Sequence, residues 1–532
     1  MRNPAKQLET LEKSDLIKYI QELEKSLKDM QFENLVMEEH IKLLTYKRFA
    51  QSAEKMLAAK NQINLFNEEE NTESFKENVP EEITEVRTHK RRKNPNAGRK
   101  SISEKLLRVK RIIDLDDSQK DCGCGAKLDR IGEEITEKLV YKPAEIYVDE
   151  IARQKYACRN CEGTEDEENK TVRIAPVEPS MIPKSISTPG LLSCIFTQKF
   201  EDHLPYYRQE KQFARIGVTL SRQDMSNWQQ QVYNRIKPLL ILMKEALLNY
   251  NILKMDETTV KVIGEKEKSS NGKSYMWLTL GGPPDTPVAM YQYRQTRAAE
   301  HAIELLKGYS GYLQTDGYKG YDSALKDNDK IIHVSCFAHA RRYFFEAALV
   351  SKNVTTAQEG VEYIKKLYVI ENKLREKNAE DENDTENKKT AKREKFVNER
   401  KKNCIPVLAE FKAWLLKLEN EVPPKTRLGE AVGYTLGQWE KLIRYLDSPY
   451  LTPDNNACEN AIRPFVMGRK AWLFCQSPNG AESSCSLFSL IQTAKLNKVN
   501  TFEYLKTLFE KAPVAVSRED WEKLLPWNIF KS

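Results

Sequence analysis

Three acidic residues, each in a different kind of sequence pattern, are the strongest candidates for chemistry. Asp256 lies in ILKMDETTVKV, Asp316 in GYLQTDGYKGY and Glu459 in DNNACENAIRPFVMGRKAWLF. The first follows an apolar stretch, the second closes a short strand-like run and the third lies in a helical pattern, so separate elements could bring the carboxylates together. Two Asp and one Glu are hard oxygen ligands that suit Mg²⁺. Two such ions can clamp the attacking and leaving oxygens of a phosphodiester, so the trio predicts cutting or joining of nucleic acid.

Two close cysteine pairs form a second candidate site. Cys122 and Cys124 lie in KDCGCGAKL, and Cys158 and Cys161 lie in YACRNCEG, with a strand-rich segment between the pairs. Four thiolates on two such pairs suit tetrahedral Zn²⁺, and a ribbon of this size has little other core. We therefore expect one structural zinc ion. Unrelated free thiols are the alternative. The first pair has the spacing C-x-C, whereas zinc-binding pairs regularly have C-x-x-C, as the second pair does.

Length and composition limit the class of protein. The chain has 532 residues, 40% hydrophobic and 31% charged, which predicts two to four domains. No run approaches 18 uncharged apolar residues and the N-terminus has no apolar signal core, so we expect no membrane association and an intracellular, cytoplasmic location. The net charge of +7 is mild for this length. Ten cysteines without a secretory signal favour thiols and metal ligands over disulfides.

The N-terminal segment has the spacing of a coiled coil. Apolar residues alternate steps of four and three over about four heptads, and Asn34 falls at an a position, which is typical of a parallel two-stranded coil. We expect it to join two or more copies of the chain; a helix packed on its own chain is the alternative. The seam consists of Leu16, Ile20, Leu23, Leu27, Met30, Asn34, Met37, Ile41 and Leu44.

An acidic segment and a basic segment follow. Residues 67–86 are acidic and poor in apolar side chains, as in a flexible linker. The run THKRRKNPNAGRK at 88–100 then concentrates positive charge, which predicts phosphate binding through release of counterions. A solvated tether is the alternative. The candidate DNA-binding residues here are Lys90, Arg91, Arg92, Lys93, Arg99 and Lys100.

A helical region from about Ser187 to Leu248 contains a pattern typical of a helix-turn-helix. A helix is followed by a turn at Gly217, a cap at Ser221 and a second helix that begins with Arg222. Arg222 is the leading candidate for DNA contact, with Gln223 and Asn227 beside it. Many helical hairpins share this pattern, so a purely structural hairpin stays open.

The next block predicts a mixed sheet. Strands are expected at 252–262, 275–280 and 288–293, then a helix at 297–307 and strands at 312–315 and 331–336. This order matches a ribonuclease-H-like sheet, in which the first and fourth strands are neighbours, so Asp256 and Asp316 would lie side by side. Residues from about 344 to 446 break the sheet pattern and predict a helical insertion, with a solvated, partly disordered loop at 377–396.

Several motifs together resemble the IS66-type insertion-sequence transposases. The run DNNACENAIRPFVMGRKAWLFCQSPNGAESSCSLFSLIQTAKLN is similar to the C-terminal signature of that family, and LQTDGYKGY followed by VSCFAHARRYF is similar to its second-Asp motif and the segment after it. The helical region, the cysteine pairs and the tail also agree in order. The resemblance covers roughly residues 85–532, and the zipper-like N-terminus is consistent with it.

The resemblance implies a fold and an activity. Asp256, Asp316 and Glu459 would be the D-D-E triad of a transposase that binds the ends of an insertion sequence, cleaves DNA and transfers the freed strand, using two Mg²⁺ or Mn²⁺ ions. Terminal inverted repeats, target DNA and accessory proteins of the same element would be its partners, at the nucleoid of a bacterium. Further candidate DNA-binding residues are Arg341, Arg342, Arg463, Arg469, Lys470 and Trp472.

Neighbouring residues offer rival interpretations. Glu482 is an alternative third carboxylate, but it follows a Pro-Asn-Gly turn and is expected in solvent. Glu257 should face away from Asp256, because successive strand residues alternate. His339 and Cys336 lack a second pair of metal ligands, so packing or contact with the DNA backbone is expected for His339. Two other functions stay open: a non-catalytic zinc-containing DNA-binding regulator or inactive relic, and a structure-specific nuclease.

The expected fold is therefore multidomain α+β, with a ribonuclease-H-like α/β catalytic core interrupted by a helical insertion. The expected segments are a coiled coil at 1–60, a linker and basic arm at 61–117, a zinc ribbon at 118–178, a helix-turn-helix-like region at 185–248, the core at 249–345 and 447–500, the insertion at 346–446 and a tail at 501–532.

Overall fold

The structure is a computed structural model that describes most of the chain in two compact units. It describes residues 13–53, 146–157, 172–265, 272–283, 285–326, 328–350, 354–381 and 384–530. One unit joins residues 1–59 to 178–532, and the other spans 60–177. The four cysteines of the predicted zinc ribbon and the basic run at 88–100 lie outside the described residues.

A long helix, α1 (Lys13–Ala53), opens the chain, as the heptad pattern predicts. The apolar residues of its predicted seam point to solvent, with 51% to 63% of their surface exposed. Another part of the helix is anchored instead: Glu39 and Leu43 are buried, and the backbone N–H of Arg427 donates to Glu39 Oε2 at 3.1 Å. The described seam residues are Ile20, Leu23, Leu27, Met30, Met37, Ile41 and Leu44.

The smaller unit contributes two short antiparallel strands, β1 (Lys155–Ala157) and β2 (Val172–Ile174). Four helices then open the main part of the larger unit: α2 (Pro189–Phe200), α3 (Tyr206–Arg215), α4 (Arg222–Arg235) and α5 (Lys237–Leu248). Between α3 and α4, Gly217 adopts a φ of 82°, which glycine tolerates without strain. Ser221 caps α4 by accepting from the N–H of Asp224 at 3.1 Å. The predicted hairpin is therefore present.

A five-stranded mixed sheet forms the centre of the larger unit. Its strands are β3 (Ile252–Val260), β4 (Ser274–Gly281), β5 (Val288–Arg294), β6 (Gly311–Gln314) and β7 (Ile331–Val334). The order across the sheet is β5-β4-β3-β6-β7, antiparallel among the first three strands and parallel from β3 to β7. The predicted neighbourhood of the first and fourth strands is confirmed. Helices α6 (Ala299–Leu305) and α7 (Lys319–Leu325) connect the later strands.

A helical region follows β7 and interrupts the sheet unit. It contains α8 (Phe337–Val350), α9 (Val354–Lys377), α10 (Glu386–Glu421), α11 (Arg427–Gly437) and α12 (Trp439–Ile443), then a 3-10 turn at Arg444–Asp447. The prediction of a loop across 377–396 is wrong in its second half, because α10 begins at Glu386. Charged residues there pair along the helix, as Lys389 does with Glu386 at 3.2 Å.

The chain then returns to the sheet through α13 (Asn456–Trp472) and α14 (Pro478–Leu496), and ends with α15 (Thr501–Lys511) and α16 (Arg518–Lys523). Helix α14 covers the edge strand β5: the N–H groups of Tyr291 and Ala289 donate to Ser489 Oγ at 2.9 Å and Thr493 Oγ1 at 3.1 Å. Hydroxyl oxygens of α14 thus accept hydrogen bonds from backbone N–H groups of β5, which, among the described residues, has no neighbouring strand on that side to accept them. In the described part of the chain, no helix combines the length and apolarity needed to cross a membrane.

Candidate active site

Parallel strands bring two of the predicted carboxylates to one edge of the sheet. Lys254 of β3 lies opposite Gln314 of β6 in the strand register. Asp256 and Asp316 each come two residues after this pair, so both lie at the carboxyl end of the paired segment of these parallel strands. Asp256 is on the central strand, and Asp316 lies just beyond the end of its strand, where Asp316 Oδ1 accepts from the N–H of Tyr318 at 3.0 Å.

The third carboxylate reaches the same edge from a helix. Glu459 lies in the first turn of α13, four residues after the N-cap residue Asn455. The buried side chain of Asn455 donates from Nδ2 to the carbonyl oxygen of Met255 at 3.0 Å, next to Asp256. Its backbone N–H donates to Cys336 Sγ at 3.2 Å. The first hydrogen bond ties the start of the Glu459 helix to the strand that carries Asp256, and the second ties it to the residue before α8.

Electrostatics show that the three carboxylates share one environment. Burial, followed by the negative charges of Glu257, Asp316 and Glu459, raises the pKa of Asp256 to about 8. Like charges at short range disfavour ionisation, so such a cluster is stabilised when a cation binds.

An arginine links Asp316 to the acidic residue beside Asp256. Arg297 forms an ion pair from Nε with Glu257 Oε1 and contacts Asp316 Oδ2 from Nη2 at 3.5 Å. Glu257 is 1% exposed and also accepts from the Tyr321 hydroxyl at 2.5 Å. The guanidinium stacks over the ring of Tyr318, 3.7 Å from its centre. Glu257 therefore contributes to the site through Arg297, a role that strand alternation alone did not reveal.

A buried polar chain supports the segment that carries Asp316. Thr315 Oγ1 donates to the carbonyl oxygen of Asp316 at 2.7 Å and lies 2.8 Å from His333 Nε2. His333 Nδ1 is 3.2 Å from Asp322 Oδ1, and Lys441 donates to the same oxygen at 2.6 Å. Hydrogen bonds from His333 and Lys441 lower the pKa of Asp322 to about 2. The chain joins α7, β7 and α12 behind the site and keeps the Asp316 turn in place.

The predicted DNA-binding residues that the structure describes differ in exposure. Arg222 and Lys470 are exposed, while Arg341 and Arg342 on α8 and Arg463 on α13 are half-buried. The rival carboxylate Glu482 is exposed on α14, where Oε2 accepts from the Tyr233 hydroxyl at 3.2 Å. Its predicted position in solvent is confirmed.

Two other predicted DNA-binding residues make contacts within the protein. Arg469 donates from Nη1 to Thr258 Oγ1 at 3.2 Å and to Thr259 Oγ1 at 2.9 Å, and it also contacts the Thr259 carbonyl oxygen. Trp472 packs edge-on against Phe465, with ring centres 5.5 Å apart. The contacts of Arg469 attach α13 to β3, whereas Trp472 and Phe465 both belong to α13.

Comparison with known proteins supports one family over most of the chain. Residues 184–483 match the family described as "Transposase IS66 family", and residues 489–527 match "IS66 C-terminal element". Residues 119–162 match "zinc-finger binding domain of transposase IS66", and residues 37–111 match "Transposase C of IS166 homeodomain".

Curated relatives include two proteins of Sinorhizobium fredii (strain NBRC 101917 / NGR234). The chain is 30% identical over 416 residues to "Uncharacterized protein y4jD", an alignment that covers 76% of this chain and 77% of the relative. It is 27% identical over 449 residues to "Uncharacterized protein y4hP", with 81% and 76% covered.

Proposed function

Because the chain belongs to the IS66 transposase family, we propose that it is a DDE transposase that binds the ends of an insertion sequence, cleaves DNA there and transfers the freed strand. The observation that carries this proposal is that Asp316 and Glu459 lie close enough to Asp256 for their charges to act on it: burial, followed by the charges of Glu257, Asp316 and Glu459, raises the pKa of Asp256 to about 8. Cations bound between three neighbouring carboxylates would neutralise their negative charge. The same cations could also bind the oxygens of a phosphodiester during its cleavage.

The donor set fits magnesium. Asp256, Asp316 and Glu459 offer only carboxylate oxygens, which Mg²⁺ and Mn²⁺ prefer. When bound, two such ions would supply Lewis-acid activation of the attacking oxygen and stabilisation of the leaving oxygen. The residues of the chain would do the rest: Arg297 orients Asp316, Asn455 sets the distance between the Asp256 strand and the Glu459 helix, and the ribonuclease-H-like strand order supports both Asp residues.

DNA would contact several basic surfaces. We propose that Arg341, Arg342, Arg463 and Lys470 hold the scissile strand near the carboxylates and that Arg222 on α4 reads or grips the element end. For Arg469 and Trp472, DNA contact would add to the contacts that they already make within the protein. The basic run, with Lys90, Arg91, Arg92, Lys93, Arg99 and Lys100, would bind the backbone of the same DNA. Such a protein would work at the nucleoid, in the bacterial cytoplasm.

The zinc ribbon and the zipper complete the proposal. Cys122, Cys124, Cys158 and Cys161 would hold one structural Zn²⁺ within the segment that matches the zinc-finger domain of the family. The exposed seam of α1 would join two copies, so that each copy binds one element end. Accessory proteins of the same element are the remaining proposed partners.

Strand cleavage and joining on DNA that carries the terminal inverted repeats of the element tests the proposal. With Mg²⁺ or Mn²⁺, the wild type should nick and join these ends, and Asp316→Asn and Glu459→Gln should lose both activities. Glu482→Gln is the matched control and should behave as the wild type, because this carboxylate lies in solvent on α14.

Two outcomes would contradict the proposal in different ways. A wild type that binds the ends but neither cuts nor joins them with either metal would favour a DNA-binding regulator or an inactive relic. A wild type that cuts DNA with or without the repeats and never joins strands would favour a structure-specific nuclease.

A further inference from the structure

A second cluster of potential metal ligands lies beside the carboxylates. The cluster consists of Cys336, His339 and Glu459, whose ligand atoms all lie within 4.8 Å of one another. Among the described residues, no other group of three or more His, Cys, Asp or Glu side chains is as close. Cys336 immediately precedes α8, and His339 lies in the first turn of that helix. Glu459 lies in the first turn of α13, so the beginnings of two helices face each other across the cluster.

Two of these ligand atoms are buried and lack a hydrogen-bond partner. His339 Nδ1 and Glu459 Oε1 are 3.8 Å apart, which is too long for a hydrogen bond, and neither atom has another partner. A buried polar atom without a hydrogen-bond partner destabilises the folded chain. A tetrahedral ion with bonds of about 2.0–2.2 Å to nitrogen and oxygen separates these two ligand atoms by roughly 3.3–3.6 Å. A cation between the two atoms would therefore satisfy both after a movement of a few tenths of an ångström.

The third ligand decides which cations suit the cluster. Cys336 is fully buried, and its sulfur accepts hydrogen bonds from the backbone N–H groups of Asn455 and His339. A sulfur, an imidazole nitrogen and a carboxylate oxygen are the ligands of Zn²⁺ and similar ions, whereas Mg²⁺ binds oxygen. Binding would release the thiol proton to solvent. The cluster thus differs in chemistry from the all-carboxylate set that shares Glu459.

We propose that Cys336, His339 and Glu459 form a binding site for a borderline-soft divalent cation of the Zn²⁺ class, separate from the cysteine-rich ribbon. Since Glu459 belongs to both ligand sets, Zn²⁺ at this site withdraws it from the magnesium ions and slows the reaction. The binding site stands on its own geometry, while this inhibitory consequence rests on the proposed transposase function.

Zinc stoichiometry of the full-length protein tests the site without any need for activity. After dialysis at a fixed free Zn²⁺ concentration, the wild type should hold one more zinc ion per chain than Cys336→Ser or His339→Gln, whatever the ribbon holds. Serine is a favourable residue before a helix and keeps an acceptor for the same backbone N–H groups, so Cys336→Ser should fold. Cys404→Ser, which changes a buried thiol of α10 away from the cluster, should keep the wild-type count.

Two results would overturn parts of this proposal. Equal zinc counts in the wild type, Cys336→Ser and His339→Gln would refute the site, even if the protein proves inactive. In strand cleavage at constant Mg²⁺, Cys336→Ser should need at least tenfold more added Zn²⁺ for half inhibition than the wild type does. Equal sensitivity, with the difference of one ion preserved, would refute the sharing of Glu459.

Discussion

Arg400 provides the sharpest test of how the helical region supports the active site. Its guanidinium on α10 is fully buried and donates to Glu371 Oε1 at 2.7 Å. It also donates to the carbonyl oxygens of Tyr445 at 2.7 Å, Ser448 at 2.8 Å and Leu451 at 3.1 Å. These carbonyls belong to the segment that leads into Asn455 and the Glu459 helix. Arg400 therefore attaches that segment to the helical region.

The expected cost of Arg400→Met follows from these contacts. Removing one member of a buried ion pair typically costs about 3–5 kcal/mol, because the other charge stays buried. Glu371 is 4% exposed but keeps Arg375, whose Nε donates to it at 2.7 Å, which favours the lower end of that range. The carbonyl of Leu451 keeps Arg375 as a donor and that of Ser448 keeps the N–H of Leu451, so loss of the hydrogen bond to the Tyr445 carbonyl adds about 1 kcal/mol. We expect a total loss of about 3–5 kcal/mol in the free energy of unfolding.

Urea unfolding followed by tryptophan fluorescence measures this loss, since Trp414 and Trp439 lie in the helical region. With a slope of about 2–3 kcal/mol per molar urea, the midpoint should fall by roughly 1–2 M. Arg393→Met is the matched control: Arg393 pairs with Glu380 at the surface, where such a pair contributes about 0–1 kcal/mol. If both variants shift the midpoint equally, the buried network does not hold the segment, and the reasoning is refuted.

Two further predictions concern other buried polar groups. Burial lowers the pKa of Lys199 to about 7, although Lys199 Nζ donates to Gln229 at 2.8 Å. Between pH 7 and the ordinary lysine pKa near 10.5, the folded state then binds fewer protons than the unfolded state. The free energy of unfolding should therefore rise with pH across that interval in the wild type and should not do so in Lys199→Met. Parallel curves of stability against pH for the two proteins would contradict this prediction. Asn455→Ala removes the hydrogen bond to Met255 and should lower the free energy of unfolding in urea by about 1–3 kcal/mol. It should also reduce strand cleavage more than Glu482→Gln does. Wild-type stability and cleavage in Asn455→Ala would count against the role of Asn455.

The sheet could be predicted from sequence because its signals are local. Local apolar patterns predicted the strands, and the one expected at 275–280 extends from Ser274 to Gly281. The order of the elements, which matches a ribonuclease-H-like sheet, predicted the pairing of the fourth strand with the first. The strand expected at 252–262 ends at Val260, and Val262 makes an isolated parallel bridge with Cys475. The latter pairing joins residues far apart in the chain, which no local pattern reveals.

The remaining parts of the site depend on contacts between distant residues. Strand alternation predicts that Glu257 faces away from Asp256, but it does not reveal that Arg297 pairs with Glu257 and also contacts Asp316. Arg297 itself lies outside the helix expected at 297–307, because that helix begins at Ala299. The spacing of Cys336 and His339 was visible in the sequence. Their third potential ligand, Glu459, lies beyond the whole helical region, so only the folded chain brings the three together.

The central claim is that Asp256, Asp316 and Glu459 bind the metal ions of the reaction. Equilibrium binding of Mn²⁺ to the full-length protein in the presence of element-end DNA tests it most directly. We expect the wild type and Glu482→Gln to bind two Mn²⁺ ions per chain at this site and Glu459→Gln to bind fewer, with Asp256→Asn losing both. Wild-type Mn²⁺ binding in Asp256→Asn and Glu459→Gln would contradict the account.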